Sequence, residues 1–203
     1  MTATPFQAII FDLGGVIARH DNRMLVERLA SRCPAPAALA DVRALLRRQS
    51  WETGAPISAL HGQLAAELGY GLGWEGFVAD WCCHLGLDPA MLAFVRRLAS
   101  ANRVMLFSNT NLEHWEHLVA ASGGALAGFE AYLSYELGRA KPSEDAFRLV
   151  AERAGIEPAR SIFFDDAPAN VEGARRAGFE AEVFESQAAL EALLRRCGVQ
   201  LGG

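Results

Sequence analysis

The sequence predicts an α/β fold, a parallel sheet with helices on both faces and a small helical bundle inserted near its start. Three observations predict it. Apolar runs at 8–11, 103–107 and 161–164 each end in acidic or polar residues, the mark of buried strands with working tips. From Asp88 onward, strand and helix patterns alternate, as in parallel strands joined by right-handed crossovers. Between 23 and 83 the periodicity is helical and no strand interrupts it.

The first strand centres on Ile9 and Ile10 and ends at Asp12, followed by Leu13, Gly14 and Gly15. A carboxylate there is costly to bury unless a cation, a metal or hydrogen-bond donors meet it. The two glycines let the backbone turn sharply and approach a ligand. In isolation, a strand-end Asp capping a helix explains the stretch equally well. A polar patch at 18–22 then leads into a helix capped by Asp21 or Asn22.

Four helical stripes follow. Met24, Leu25 and Leu29 form the first, and Leu39, Val42, Leu45 and Leu46 the second, after Pro34 and Pro36. The third runs from Ile57 through Leu60, Leu64 and Leu68 to Gly69, and the fourth holds Trp74, Phe77, Val78 and Trp81. Four short helices in a row describe a bundle inserted into a larger fold. This places the core at 1–18 and 86–203 and the insertion at 19–85. Trp74, Phe77 and Trp81 share a helical spacing and read as bundle core. Trp51 fits either core or lid, and Glu52, near the turn at Gly54, is expected to face a cleft. Arg28, Arg32, Arg43, Arg47 and Arg48 read as solvated helix faces rather than a phosphate-reading patch.

Asp88-Pro89 is a helix start, an N-cap Asp followed by Pro at the first helical position. A strand over 103–107 leads to Ser108-Asn109-Thr110-Asn111, a helix over 112–121 breaks at Gly123-Gly124, and 131–133 is a short strand. Ser143 caps a helix over 144–154. The apolar run at 161–164 delivers Asp165-Asp166. A helix over 170–177, a strand over 179–184 and a helix over 186–196 complete the chain.

The 203 residues are 51% hydrophobic, enough for a substantial core in one domain with an insertion or in two small ones. A net charge of -5 argues against a nucleic-acid partner. No stretch approaches 18 apolar residues, and the first six residues lack the basic and apolar regions of a secretory signal. A cytoplasmic protein with no membrane partner is therefore expected. Its cysteines, Cys33, Cys82, Cys83 and Cys197, form no C-x-x-C pair and read as reduced thiols, preferred over a metal site built on Cys82, Cys83 and His84. Nothing in the sequence specifies an oligomer.

Parallel strands bring their C-terminal tips to one edge, which would collect Asp12, Ser108-Asn109 and Asp165-Asp166, with Lys141 arriving from a loop. Adjacent acids at a buried edge repel, so a metal or a lysine must compensate. Three carboxylates and one lysine suit an oxyanion held through Mg²⁺, a hard ion that prefers oxygen ligands.

Four blocks in this order resemble the haloacid dehalogenase-like hydrolase superfamily, and the resemblance covers nearly the whole chain. They are Phe11-Asp12-Leu13-Gly14-Gly15-Val16, Phe107-Ser108-Asn109-Thr110, Gly138-Arg139-Ala140-Lys141-Pro142 and the stretch from Phe163-Phe164-Asp165-Asp166 through Asn170 to Ala174. The insertion resembles the cap of the helical-cap subgroup. The blocks are most similar to a bacterial branch that includes glucose-1-phosphate phosphatases.

The resemblance implies a Rossmann-like core and a Mg²⁺-dependent phosphatase acting on a small phosphorylated metabolite such as a hexose 1-phosphate. Asp12 would be the nucleophile that carries the phosphoryl group. Asp12, the Gly14 carbonyl and Asp166 would hold Mg²⁺, with Asp165 beside or just behind it and Asn170 orienting from outside. Leu13, Gly14, Ser108 and the Asn109 backbone at a helix start would seat the phosphoryl oxygens, and Lys141 would neutralise the developing charge.

One departure from the pattern matters. Family phosphatases usually carry an acid two residues after the nucleophile to protonate the leaving alcohol, and here that position is Gly14. General acid–base catalysis is worth roughly 10²–10⁴ in rate. A leaving group that needs little help, an anomeric oxygen or an acyl phosphate, would tolerate the loss, or His20 or Asp21 could substitute. The preferred reading of those two is a helix cap with a solvated neighbour. Rival readings are a metal-independent 2-haloacid dehalogenase, against which the paired acids speak, and a catalytically weakened phosphometabolite-binding protein.

Overall fold

Strand β1 (Ala8–Phe11) is the centre of the molecule, with all four residues buried. The structure, a computed structural model, describes residues 5–34 and 39–202, so Pro36 and the first four residues lie outside the described residues. After the Gly14-Gly15 turn, β2 (Ala18–His20) leads into α1 (Asn22–Ala30), whose N-cap is Asp21. Helices α2 (Leu39–Leu46), α3 (Ile57–Leu68) and α4 (Trp74–Cys82) complete the inserted bundle. Strand β3 (Leu85–Leu87) then returns antiparallel to β2, pairing Ala18 with Leu87 and His20 with Leu85.

The rest of the chain alternates. It runs α5 (Pro89–Ala99), β4 (Val104–Ser108), α6 (Leu112–Ala121), β5 (Glu130–Leu133), the short α7 (Ser134–Leu137) and α8 (Glu144–Ala154). It closes with β6 (Ser161–Asp165), α9 (Pro168–Arg176), β7 (Glu180–Val183) and α10 (Gln187–Arg196). The sheet order is β5-β4-β1-β6-β7, all pairs parallel. Residue parity sorts the side chains: Ile9, Phe11, Leu106 and Phe164 face one apolar cluster, while Ile10, Met105, Phe107 and Phe163 face the other. The expected α/β fold is the one observed.

A third cluster, drawn from residues between Leu25 and Cys82, fills the inserted bundle. Phe77 is fully enclosed there, stacked between the rings of His61 and Trp81. Burying a side chain of this size contributes on the order of 1.5–3 kcal/mol. No helix among the described residues is long and apolar enough to cross a membrane.

The structure corrects three expectations. The polar patch at 18–22 is not a simple lead-in, because 18–20 forms half of a two-stranded ribbon. A three-residue strand is too short to display alternation, and its partner lies some 65 positions away. Trp74 opens α4 and is 41% exposed, tilted against His61 instead of entering the bundle core. Ser143 holds the N-cap position of α8 but its hydroxyl makes no capping hydrogen bond.

Candidate active site

Strands β4, β1 and β6 are neighbours, so their C-terminal tips place Ser108, Asp12 and Asp165 along one edge. The Asp12 N–H donates to Phe164 O at 2.8 Å, continuing the ladder one residue past β1 and fixing where its side chain leaves the backbone. Lys141 arrives from the loop between α7 and α8. Its Nζ lies 2.8 Å from Asp12 Oδ1 and 2.6 Å from Asp165 Oδ2, and all three side chains are buried. The ammonium also stands 5.4 Å and 5.2 Å from the ring centroids of Phe107 and Phe163.

The neighbours of this triad are tightly held. Asn109 clamps the lysine's backbone from both sides: its Nδ2 donates to Lys141 O and its Oδ1 accepts from Lys141 N, each at 2.9 Å. Asp165 accepts from Lys141 Nζ, from Ala167 N and, with both oxygens, from Asn170 Nδ2. Gly173, on α9, packs so closely on the Lys141 loop that a Cβ there would collide with Pro142 O.

Burial pushes the Asp12 carboxyl up from 3.8 to about 6. The Lys141 charge opposes that rise and the Asp165 charge reinforces it. Asp166, by contrast, is exposed and lies against Gly15. Gly15 has φ +74°, and a Cβ there would overlap the Asp166 carboxylate, so both its conformation and this close approach require glycine. One oxygen from each of Asp12, Asp165 and Asp166 lies within 4.8 Å of the others. Three hard oxygen donors of net negative charge fit Mg²⁺. Since Asp165 already accepts four hydrogen bonds, Asp12 and Asp166 are the carboxylates left open to an ion.

The edge opens into a cleft of about 830 Å³, walled on the far side by the inserted bundle. A cleft of that size suits a small metabolite. The residues expected to seat phosphoryl oxygens, Leu13, Gly14, Ser108 and Asn109, border it. The helix start lies at its expected place, which leaves Asn109 short of it. Helix α6 begins at Leu112 with Asn111 as its cap, and the Thr110 N–H is donated to Ser134 Oγ at 2.9 Å. Asn109 is therefore not at a helix N-terminus, and its side chain serves Lys141.

Asp21 and His20, the two possible replacements for the missing acid, separate clearly. Asp21 Oδ1 accepts from the N–H groups of Arg23 and Met24, so Asp21 is the helix cap. His20 borders the cleft, and a Cβ built on Gly14 would lie 3.6 Å from its Cδ2 and 3.9 Å from its Nε2. The imidazole occupies the direction in which a side chain at position 14 would point. The antiparallel ribbon puts it there, and no local signal could have.

Two ties hold the bundle onto the core. The buried Ser134 hydroxyl donates to Glu52 O across the cleft while accepting from Thr110 N. On the other side, Trp81 Nε1 donates to Asn111 Oδ1 at 3.3 Å, and Trp81 stacks on His114 at 4.8 Å. Burial depresses His84 to about 4 and His114 to about 3, so both rings are neutral near pH 7. Glu52 and Trp51 border the cleft, and burial lifts the Glu52 carboxyl while the Lys141 charge pulls it down.

The reading of the bundle arginines as solvated faces holds for Arg32, Arg43, Arg47 and Arg48, which are exposed, and less well for the half-buried Arg28. Arg28 and Arg32 bracket the buried Asp80, which also accepts from Tyr70 Oη, and Arg48 pairs with Glu67. Arg43 and Arg47 border the cleft. Their i, i+4 spacing was the available signal, since it sets two like charges one turn apart at the end of α2.

The haloacid dehalogenase-like hydrolase family model matches residues 6–178. A D-ribitol-5-phosphate phosphatase of Bacteroides thetaiotaomicron is 27% identical over 188 residues, covering 85% of this chain and 88% of that one. A validoxylamine A 7'-phosphate phosphatase of Streptomyces hygroscopicus is 23% identical over 177 residues, covering 85% and 83%. Among solved structures, the HAD family enzyme BT-2542 of B. thetaiotaomicron, in complex with magnesium and inorganic phosphate, superposes with a TM-score of 0.79. It is 23% identical, and the match covers 91% of this chain and 98% of that one. This chain belongs to the haloacid dehalogenase-like hydrolase family.

Proposed function

We propose that this haloacid dehalogenase-like hydrolase is a Mg²⁺-dependent phosphatase for a small phosphorylated metabolite of the sugar-phosphate class, working in the cytoplasm through a phosphoryl group carried on Asp12. The observation that carries the reading is the buried Asp12–Lys141–Asp165 group with the open Asp166 beside it, at the foot of a metabolite-sized cleft. The phosphatases named among its relatives support it. We divide the chain into a catalytic core, 1–18 and 86–203, and a substrate-facing cap, 19–85, with the β2–β3 ribbon straddling both junctions.

In this reading Asp12 attacks phosphorus in line, the ester oxygen departs, and water then cleaves the acyl phosphate. Lys141 orients Asp12 and offsets the charge that builds up in the transition state. Asn109 and Asp165 position Lys141, and Asn170 positions Asp165. Asp12, the Gly14 carbonyl and Asp166 would hold Mg²⁺, with Asp165 as a supporting carboxylate, and the ion would supply Lewis-acid polarisation of the phosphoryl oxygens. His20, standing where the family's acid would reach, gives the departing oxygen its proton and later takes one from water.

Hydrolysis of p-nitrophenyl phosphate in excess Mg²⁺, compared between the wild type and Asp12→Asn, tests the mechanism. A loss of about 10³-fold or more is expected, and surviving activity sinks the nucleophile assignment. For His20, the expected signature of His20→Ala is a fall of about 10²-fold on glycerol phosphate but only severalfold on p-nitrophenyl phosphate, whose phenolate leaves without help. Equal losses on both esters would remove His20 from the proton path.

A further inference from the structure

Resting on the phosphatase reading, we infer that the substrate carries a second oxyanion besides the phosphoryl group being cleaved, and that Arg43 and Arg47 of the cap recognise it. Arg43 lies on α2 and Arg47 in the turn that ends it, where the Arg47 N–H still donates to Arg43 O at 3.2 Å, and both border the cleft that holds Asp12. Among the described residues every other arginine of 19–85 has a carboxylate within 4 Å. Arg19 has Asp88, Arg23 has Glu27, Arg28 and Arg32 share Asp80, and Arg48 has Glu67. Arg43 and Arg47 have none.

Two like charges at i, i+4 repel, and in a chain of net charge -5 there is no shortage of acids to place beside them. An exposed pair left without partners at the border of a cleft is the arrangement that an incoming anion completes, since guanidinium groups pair with carboxylate or phosphate in bidentate fashion. The pair stands apart from the phosphoryl seat. That seat is built on the sheet edge from Ser108, Asp12 and Lys141, whereas Arg43 and Arg47 belong to the opposite wall. One phosphoryl group occupies only a small part of 830 Å³, leaving room for a carbon skeleton whose far end meets α2. The substrate class is thus a sugar acid phosphate or a sugar bisphosphate.

Matched ligands separate charge from shape. The experiment measures Kd by calorimetry on the Asp12→Asn protein in Mg²⁺, and kcat/KM on the Asp12 enzyme. It compares glucose 6-phosphate with 6-phosphogluconate, and fructose 6-phosphate with fructose 1,6-bisphosphate. The first pair reads a distal carboxylate and the second a distal phosphate. At least about a tenfold preference for the doubly anionic member of one pair is expected. It should collapse to within about threefold of unity in Arg43→Gln/Arg47→Gln and reverse in Arg43→Glu/Arg47→Glu. Each ratio is internal to one protein, so a partly folded variant still gives a valid result. Ratios near unity in both pairs, or a preference that survives in both variants, overturn the inference. The phosphatase reading fails separately, if Asp12→Asn leaves hydrolysis intact while the binding preference stands.

Discussion

The two walls of the cleft are built on opposite terms. On the sheet edge nearly every polar group already has a partner: Asp165 accepts four hydrogen bonds, Asn109 grips the Lys141 backbone at both ends, and Lys141 bridges two carboxylates. On the cap wall, Arg43, Arg47 and Glu52 border the same space and have no ion-pair partner among the described residues. In the proposed reaction the groups assigned to the phosphoryl centre are held before any ligand arrives, which would lower the reorganisation needed in the transition state. The groups proposed to face the remainder of the substrate are left without partners. The proposed function thus divides chemistry and recognition between two separately packed clusters, joined by the β2–β3 ribbon, the Ser134–Glu52 tie and the Trp81–His114–Asn111 contact.

The sharpest way to break this contrast is to unpair the rigid wall. Lys141→Met leaves Asp12 and Asp165 buried side by side with no cation, a change expected to cost about 3–5 kcal/mol in denaturant unfolding of the metal-free protein. The sign with pH follows from Asp12, whose carboxyl is raised to about 6. A raised carboxyl favours the native state while it is protonated and loses that advantage as pH rises, so the deficit of Lys141→Met should shrink below about pH 6. A deficit that is the same at pH 5 and pH 8 would contradict the role given to this pair.

Next in size is a cavity in the cap alone. Phe77→Ala is expected to cost about 3–5 kcal/mol, but within the third cluster only. Hydrogen exchange should show α1–α4 losing protection while the amides of β1, β4 and β6 keep theirs. If both bodies lose protection together, the cap is part of the core's cooperative unit and the division above is wrong.

The smallest effect concerns the seam. His84 and His114 are held neutral by burial, at about 4 and about 3, well below the ordinary imidazole value of 6.5. A depressed histidine supports the fold above its unfolded pKa and withdraws that support as pH falls towards its folded one. Acidification from pH 6.5 to about 4 should therefore loosen the contact between α4 and α6. The wild type's Tm should fall across this window by on the order of a few degrees more than that of His84→Gln/His114→Gln. Parallel Tm curves for the two proteins would show that the seam does not titrate.

Much of the rigid wall was legible because its signals are local. An apolar run followed at once by a carboxylate announces a buried strand and its tip, as at Phe11-Asp12 and Phe164-Asp165, and alternation after Asp88 announces parallel neighbours. The cap was legible as four amphipathic stripes but not as a recognition surface. Nothing near Arg43 says that it lacks an acid, just as nothing near Arg32 says that Asp80, 48 positions on, is its partner.

By itself, the sequence determined which residues form the five strands of the main sheet and the longer helices, where an extra bundle interrupts them, and that acids, a lysine and hydroxyls gather at one edge. These follow from periodicities of two and 3.6 residues, which any short window contains. Only the tertiary structure decided that Asp165 is saturated while Asp166 stays open, that His20 fills the space beside Gly14, and that Asn109 holds the lysine. Those outcomes depend on which groups are brought within 3–4 Å across tens of positions in the chain, and hydrogen bonds and ion pairs are decided at that distance.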